Sequence, residues 1–152
     1  MNKNKTQQGF TLIELLLVIS ILAILAVSVF VALNPVKRMA DARNSKRWSD
    51  SSEILTAIHQ YIVDNNGSLP SGVTTSPKQL GTCSTGGASP CTGAATACLD
   101  LSTTLAKYLK TIPVDSVGTS TATGYSVMSD ANGIVSVVAC GAENGVNIEV
   151  SR

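Results

Sequence analysis

The chain has 152 residues, which is enough for one domain of ordinary size and one additional segment. Its 11 Lys and Arg residues nearly balance its 10 Asp and Glu residues, so the net charge does not favour nucleic-acid binding. Apolar residues are concentrated near the amino end, whereas the chain after Gly67 is rich in Ser, Thr, Gly and Ala. The composition therefore predicts an apolar amino-terminal segment followed by a small, weakly charged domain.

A short basic leader precedes the apolar run. Residues 1–8 carry two lysines, and the 19 residues from Leu15 to Leu33 are apolar except for two serines. As a helix, a run of about 20 apolar residues crosses the hydrocarbon core of a bilayer. A secretory signal has a shorter apolar region with the cleavage site after it, whereas the candidate site here, Gly9-Phe10, lies before the run. Cleavage at this site would remove the leader and leave the anchor in the chain.

The charges on the two sides of the apolar run do not orient it in a membrane. More basic residues follow the run than precede it: Lys37, Arg38, Arg43, Lys46 and Arg47 against Lys3 and Lys5. Asp41 and Asp50 offset part of this excess. The cysteines in the carboxyl-terminal half favour placing that half outside, because disulfides form in oxidising compartments.

Glu14 is the single acid in the apolar segment. A carboxylate inside a bilayer is costly, so such a group needs a partner or a path to water. Glu14 also lies near the end of the segment, where interfacial water could solvate it, and the residue pattern leaves both alternatives open. If the chain is cut before Phe10, a new ammonium group forms four residues from Glu14. That group could pair with Glu14 of the same chain or of a neighbour.

The stretch Gly9-Phe10-Thr11-Leu12-Ile13-Glu14 and the apolar run after it resemble the class III signal of type IV pilins and type II secretion pseudopilins. The resemblance implies that a prepilin peptidase cleaves after Gly9 and N-methylates Phe10. It implies that Glu14 recruits subunits by pairing with the amino end of an adjacent one. Residues 10–33 would then leave the bilayer and pack into a helical filament core.

The same resemblance implies the partners of the chain. They are other copies of itself or related pilins, the prepilin peptidase, the membrane platform of a pilus or secretion machine, and the lipid bilayer before assembly. We expect no cofactor and no nucleic-acid partner.

Residues 36–63 have a helical period, with an apolar stripe formed by Val36, Ala40, Ser51, Ile54, Ile58 and Tyr61. Arg43 and Arg47 interrupt this stripe. We therefore expect the head to pack on the helix only from about Trp48 onward. The basic segment before it would lie near lipid headgroups or contact neighbouring subunits, and for any single basic residue there we expect a solvated helix face. Pro35 predicts a kink or local unwinding near residues 32–35, because proline removes a helical hydrogen bond and clashes with the preceding turn. The segment 64–67 and Pro70 predict the end of the helix.

Four cysteines, Cys83, Cys91, Cys98 and Cys140, predict two disulfides. The sequence does not choose among the three possible pairings, and our best guess is Cys83–Cys91 with Cys98–Cys140. A zinc site is disfavoured, because the cysteines are separated by 7, 6 and 41 residues and no CxxC pair occurs.

The remaining head predicts a short helix over residues 99–109 and strands over residues 124–129, 134–140 and 146–150. Asp130-Ala131-Asn132-Gly133 is typical of a tight turn between the first two strands. The expected fold class is α+β and pilin-like. A long amino-terminal helix, half membrane-spanning and half amphipathic, packs on a small antiparallel sheet. Disulfides would strengthen such a thin core.

No residue pattern indicates catalysis. GxSxG, P-loop, HExxH and Rossmann motifs are absent, and His59 has no metal-binding partner or nucleophile nearby in the sequence. Pro113-Val114-Asp115 followed by Tyr125 is similar to a calcium-binding loop of major pseudopilins. Asp115, Asp130 and Asp100 are too few to supply the six to eight oxygens that calcium prefers, so we expect ordinary turn acids and no metal site.

The sequence thus predicts four parts: a leader (1–9), a transmembrane and filament-core helix (10–34), an amphipathic helix half (35–66) and a disulfide-stapled head (67–152). The predicted function is a non-enzymatic precursor of a type IV pilin-like subunit. It would span the bacterial inner membrane once with its head outside, and later lie in an extracellular pilus. The alternatives are a type II secretion pseudopilin and an anchored exported domain that does not polymerise.

Overall fold

The computed structural model describes residues 9–152, so the leader residues 1–8, with Lys3 and Lys5, lie outside the described part. The chain divides into two compact units, one ending at Arg38 and the other running from Met39 to Arg152. The elements in chain order are α1 (Leu12–Leu33), α2 (Pro35–Asp64), β1 (Lys78–Gln79), β2 (Tyr125–Ser129), β3 (Val135–Ala139) and β4 (Glu149–Ser151).

The amino-terminal unit consists of α1 and the first turn of α2. The 22 residues of α1 are apolar except for Glu14 and two serines, and none of them is buried. Helical geometry is interrupted at one residue, Asn34, which is left-handed with φ 41° and ψ 71°. Pro35 is the first residue of α2, a position that suits proline because the N–H there has no helical partner. The interruption is therefore one residue wide.

The second unit contains the remainder of α2 and a four-stranded antiparallel sheet in the order β1-β2-β3-β4. Tyr125 lies opposite Ala139 in the β2–β3 pair, and Val137 lies opposite Val150 in the β3–β4 pair. The turn between β2 and β3 is the predicted one, since the Asp130 carboxylate accepts hydrogen bonds from the N–H groups of Asn132 and Ile134. The first two predicted strands are confirmed with slightly shorter ends. The third is shifted, since β4 covers Glu149–Ser151 where residues 146–150 were predicted, and β1 was not predicted.

One apolar core joins α2 to the sheet. It contains Ile54, Leu55, Ala57 and Ile58 from the helix, Tyr125, Val127, Val135, Val137, Ala139 and Ile148 from the sheet region, and Leu80, Leu101 and Leu105 from the intervening loops. The predicted α+β arrangement, a long amino-terminal helix on a small antiparallel sheet, is confirmed. The helix ends at Asp64 as predicted, and Asn66 and Gly67 take left-handed conformations there.

The helix predicted over residues 99–109 was wrong. This segment forms a series of turns, although Leu101, Leu105 and Leu109 are buried at the predicted spacing. Two hydrogen bonds of the helical i to i−4 type form, from Leu105 N to Leu101 O and from Leu109 N to Leu105 O. The residues between them do not complete a continuous series of such bonds. Side chains spaced four apart can thus be buried by successive turns, without a continuous helix.

The best-guess disulfide pairing was also wrong. The structure joins Cys83 to Cys98 and Cys91 to Cys140. The reason lies in the backbone, because the chain returns beside its own start: Cys98 N donates to Cys83 O over 2.8 Å. Cys91, in the middle of this loop, forms its disulfide with Cys140, the residue that follows β3. The order of the cysteines along the chain does not reveal this return.

Candidate functional site

The candidate cleavage site, Gly9-Phe10, lies in a segment without regular structure just before α1. Phe10 is 92 % exposed, and a Cβ atom built on Gly9 would meet no atom within 4 Å. Gly9 and Phe10 are therefore not covered by other described parts of the chain.

Thr11 and Glu14 form a capping box at the start of α1. Thr11 Oγ1 accepts from Glu14 N over 3.2 Å, and Glu14 Oε2 accepts from Thr11 N over 2.9 Å and from Thr11 Oγ1 over 2.8 Å. This motif satisfies backbone N–H groups that have no partner inside the helix. Oε1 of Glu14 accepts no hydrogen bond within residues 9–152, so half of the carboxylate is available to an external donor.

The surface of α1 is apolar on every side. Its two serines do not add free polar groups, because Ser20 Oγ donates to Leu17 O over 2.7 Å and Ser28 Oγ donates to Leu25 O over 2.8 Å. The helix is long and apolar enough to cross a membrane. A large exposed apolar surface of this kind marks a membrane or protein contact.

A polar network centred on Arg47 lies inside the second unit. The Arg47 side chain is 1 % exposed, and its guanidinium contacts Asp115 Oδ2 and Glu143 Oε2, each over 2.8 Å. Asn44 Oδ1 accepts from the same guanidinium over 2.9 Å. Arg47 thereby joins α2 to two loops that are far away in the sequence.

Two neighbouring side chains on α2 extend this network. Arg43 donates to both Glu143 carboxylate oxygens, over 2.7 and 2.6 Å. The Asn44 amide donates to Glu143 O over 2.9 Å and accepts from Glu143 N over 3.0 Å. Hydrogen bonds from Arg43 and from Arg47 lower the pKa of Glu143 to about 2. Glu143 is thus held as an anion against the helix.

The expectation that the head packs on α2 only from Trp48 onward was wrong. Ala40, Asn44 and Arg47 are already buried. Arg43 and Arg47 seemed to interrupt an apolar stripe, but Arg47 is buried, Arg43 is partly exposed, and both bind the carboxylate of Glu143. The signal that could have found them was their i,i+4 spacing on one face of α2.

The acids considered for calcium lie in separate environments. Asp115 is bonded to Arg47, and although burial opposes its charge, the bonds from Arg47 and Ser116 lower its pKa. Asp130 belongs to the β2–β3 turn, and Asp100 caps a turn by accepting from Ser102 N over 2.9 Å. Within residues 9–152, no three His, Cys, Asp or Glu side chains converge as a metal site requires.

His59 lines a shallow cavity of about 410 Å³ near the end of α2, together with Val63, Asp64 and Tyr108. Its Nε2 atom is shielded from solvent and has no hydrogen-bond partner within the described residues. Tyr108 and Lys107 both donate to Asp64 beside it, over 2.8 and 2.6 Å. The arrangement contains no nucleophile activated by His59.

Comparison with known proteins bears on the amino-terminal segment alone. Residues 4–30 match the family model described as the prokaryotic N-terminal methylation motif. Among curated proteins and among solved structures, no match to the chain is found. The motif marks structural proteins of the pilin family, which are normally not enzymes. The chain therefore carries at its amino end the class III prepilin signal, as precursors of type IV pilins and pseudopilins do.

Proposed function

We propose that the chain is the precursor of a type IV pilin-like structural subunit that polymerises through α1 into a surface filament. A prepilin peptidase cleaves it after Gly9 and methylates the new amino group of Phe10. The observation that carries the proposal is α1 itself, since 22 residues with a matching methylation motif bury none of their apolar side chains. In a subunit, the bilayer and later the neighbouring helices would cover this surface.

The capping box supports a recruitment role for Glu14. Within its own chain, the carboxylate is bonded through Oε2 to Thr11, and Oε1 has no partner in the described residues. A charged donor from another subunit could therefore bind without breaking the cap. The methylated ammonium of a neighbour's Phe10 is such a donor, and in an apolar filament core this ion pair would set the axial register of the subunits.

The head, residues 67–152, lies on the outer side of the membrane in this proposal. The two disulfides support that side, because disulfides persist in oxidising compartments. Residues 1–9 are the removed leader, residues 10–34 the anchor and filament core, and residues 35–66 the amphipathic helix half. The mature subunit moves from the inner membrane into the extracellular pilus.

The contact made by Asp115 bears on the pseudopilin alternative. The acid of the loop that resembles a pseudopilin calcium site, Asp115, is bonded to Arg47 over 2.8 Å. That contact favours the surface pilin, because the carboxylate already has a cationic partner.

The test is to shear filaments from cells that make the protein and to analyse them by electron microscopy and mass spectrometry. We expect long surface fibres whose subunit begins with N-methylated Phe10. Short fibres confined to the periplasm would favour the pseudopilin, and an inserted protein found in no fibre would favour an anchored exported domain. An intact Met1 in assembled fibres would contradict the processing step.

A further inference from the structure

The five basic residues that follow the apolar run fall into two groups. Three of them have acidic partners in the second unit, in the pairs Arg43–Glu143, Lys46–Asp50 and Arg47–Glu143. The other two, Lys37 and Arg38, are exposed, and their cationic groups form no salt bridge and no hydrogen bond within residues 9–152. The acids of the second unit thus leave two cations uncompensated in the described part of the chain.

The nearest acids in the sequence do not compensate these cations. Between Glu14 and Asp41 the chain contains no Asp or Glu. Asp41, one helical turn beyond Lys37, instead accepts a hydrogen bond from the Asn144 amide over 2.8 Å. The junction after α1 therefore carries two positive charges that an external anion can bind.

The length of α1 determines where these charges lie when the helix spans a bilayer. Its 22 residues extend about 33 Å at 1.5 Å per residue, close to the roughly 30 Å of the hydrocarbon core. Lys37 and Arg38 follow Leu33 by four and five residues, a further rise of about 6–8 Å. The polar headgroups add about 5–7 Å on each side of the core. Both cations are thus carried to the level of the lipid phosphates.

The side chains at this junction suit the boundary between apolar and polar layers. Val36 precedes the two cations and is 75 % exposed, so it offers an apolar contact at the level below them. Lys and Arg have long apolar stems that lie along such a boundary while the charged group stays in the polar layer. A guanidinium binds two phosphate oxygens at once, and an ammonium binds phosphate as a point charge.

We propose that Lys37 and Arg38 form a binding site for the phosphate of an anionic phospholipid. A zwitterionic lipid binds more weakly, because the cation of its own headgroup offsets the phosphate. The site lies on the unit that would have to leave the bilayer, so an anionic lipid favours the inserted subunit over the assembled one. The proposal rests on the membrane-anchored state in the proposed function, and it does not require that the chain polymerises.

Acidic side chains of another subunit are the alternative partner of these cations. Lipid phosphates surround the end of an inserted α1 on every side, whereas the acids of other subunits reach it only in a filament. The lipid is therefore the anion that the unassembled subunit meets first.

The test uses the full chain in a neutral detergent, with added phosphatidylglycerol or phosphatidylcholine of the same acyl chains. Native mass spectrometry counts the bound lipids and gives an apparent Kd for each. We expect the wild type to bind phosphatidylglycerol more tightly. Lys37→Ala/Arg38→Ala should weaken that binding about fivefold or more, because one basic residue near an anionic surface already contributes about this factor. Its binding of phosphatidylcholine should not change.

The matched control is Lys110→Ala/Arg152→Ala, which removes one Lys and one Arg that are exposed on the head and form no salt bridge within residues 9–152. It should bind phosphatidylglycerol as the wild type does. The leader lysines are present in all three proteins, so they do not contribute to the difference. The proposal is overturned if the wild type binds both lipids equally, if Lys37→Ala/Arg38→Ala keeps the wild-type affinity, or if the control loses as much.

Two further measurements separate the lipid from other anions. Raising ammonium acetate from about 0.1 M to about 1 M should weaken the preference for phosphatidylglycerol, because it shortens the screening length from about 10 Å to about 3 Å. Inorganic phosphate at the same concentration as the lipid should displace none of it. Displacement would assign the cations to a free phosphate and contradict the lipid site.

Filament yield is measured separately, so that the two proposals can fail independently. Selective lipid binding by a chain that forms no fibres retains the lipid site and contradicts the pilin function. Fibres formed by a chain without lipid selectivity do the reverse. If Lys37→Ala/Arg38→Ala binds phosphatidylglycerol normally but forms fewer fibres, the cations bind other subunits and the lipid site is refuted.

Discussion

The two helices of this chain differ in which side chains they expose and which they bury. In α1, apolar residues are exposed on every side, whereas in α2 the buried set includes Asn44, Arg47 and Asp50. Arg47 can be buried because Asp115 and Glu143 bind its guanidinium, and Asp50 accepts from Tyr125 Oη over 2.6 Å. Whether a polar side chain is buried therefore depends here more on its hydrogen-bond partners than on its polarity. The apolar residues of α1 are exposed, whereas the buried polar residues of α2 have hydrogen-bond partners within the head.

The largest expected effect comes from the acid of α1. Glu14→Ala should abolish incorporation into filaments while the protein still inserts in the membrane, because the register-setting carboxylate is lost. Glu53→Ala removes an exposed acid from α2 and is the matched control, which should assemble normally. Quantifying the protein in sheared filaments and in membranes measures both. Normal filament yield from the Glu14 variant would refute the recruitment role.

The buried cation of α2 should dominate the stability of the head. Arg47→Ala leaves Asp115 buried without its partner and should lower the free energy of unfolding by about 3–5 kcal/mol. Arg38→Ala, which removes an exposed cation, should have little effect. Unfolding of the full chain in detergent can be followed by the fluorescence of Trp48, the single tryptophan. Equal stability of the two variants would show that the network contributes little.

The disulfides should differ in their contributions. On the chain-entropy estimate, removing the Cys91–Cys140 bond by double alanine substitution costs about 4 kcal/mol, and removing Cys83–Cys98 costs about 3 kcal/mol. The difference arises because the sequence separations are 49 and 15 residues. Denaturant unfolding of the two double variants measures it. A larger loss from the shorter loop would point to native contacts, and not to chain entropy, as the source of stabilisation.

Lowering the pH should have a smaller effect on the stability of the head. The pKa of Glu143 is lowered from 4.5 to about 2, so its stabilising contribution is fully present above about pH 4.5. That contribution is lost as the pH falls towards 2, because the unfolded chain binds the proton first. Asp115, whose pKa is also lowered, acts in the same direction.

Thermal unfolding of the full chain between pH 5 and pH 2 tests this dependence. Glu143→Gln should flatten the decline of the midpoint, and Glu149→Gln, an exposed acid without an arginine contact, should not. Identical pH profiles for the two variants would contradict the role of Glu143.

The sequence predicted α1, the end of α2 and the β2–β3 hairpin because local signals specify them. These signals are a long apolar run with few polar residues, Asn-Asn-Gly, and Asp-Ala-Asn-Gly. It did not reveal the Arg47 network, whose acids lie 68 and 96 residues away along the chain. β1 has only two residues, too few for a periodic pattern. Residues 99–109 have apolar residues at helical spacing but form no continuous helix, because burial of three leucines in the core stabilises successive turns. The roles of Gly9, Phe10 and Glu14 were predicted from one motif, since that signal is contiguous.

The interruption at Asn34 has a consequence for hydrogen exchange. Pro35 has no N–H, and the amides of Lys37 and Arg38 donate to the side chain and the carbonyl of Asn34, each over 3.3 Å. Of the first four residues of α2, Val36 alone therefore offers an amide proton without an acceptor in the described residues. Exchange at this junction should be fast at Val36 and slower at the next two amides. One asparagine thus ends a helix and begins another, and it leaves a single backbone amide open to solvent.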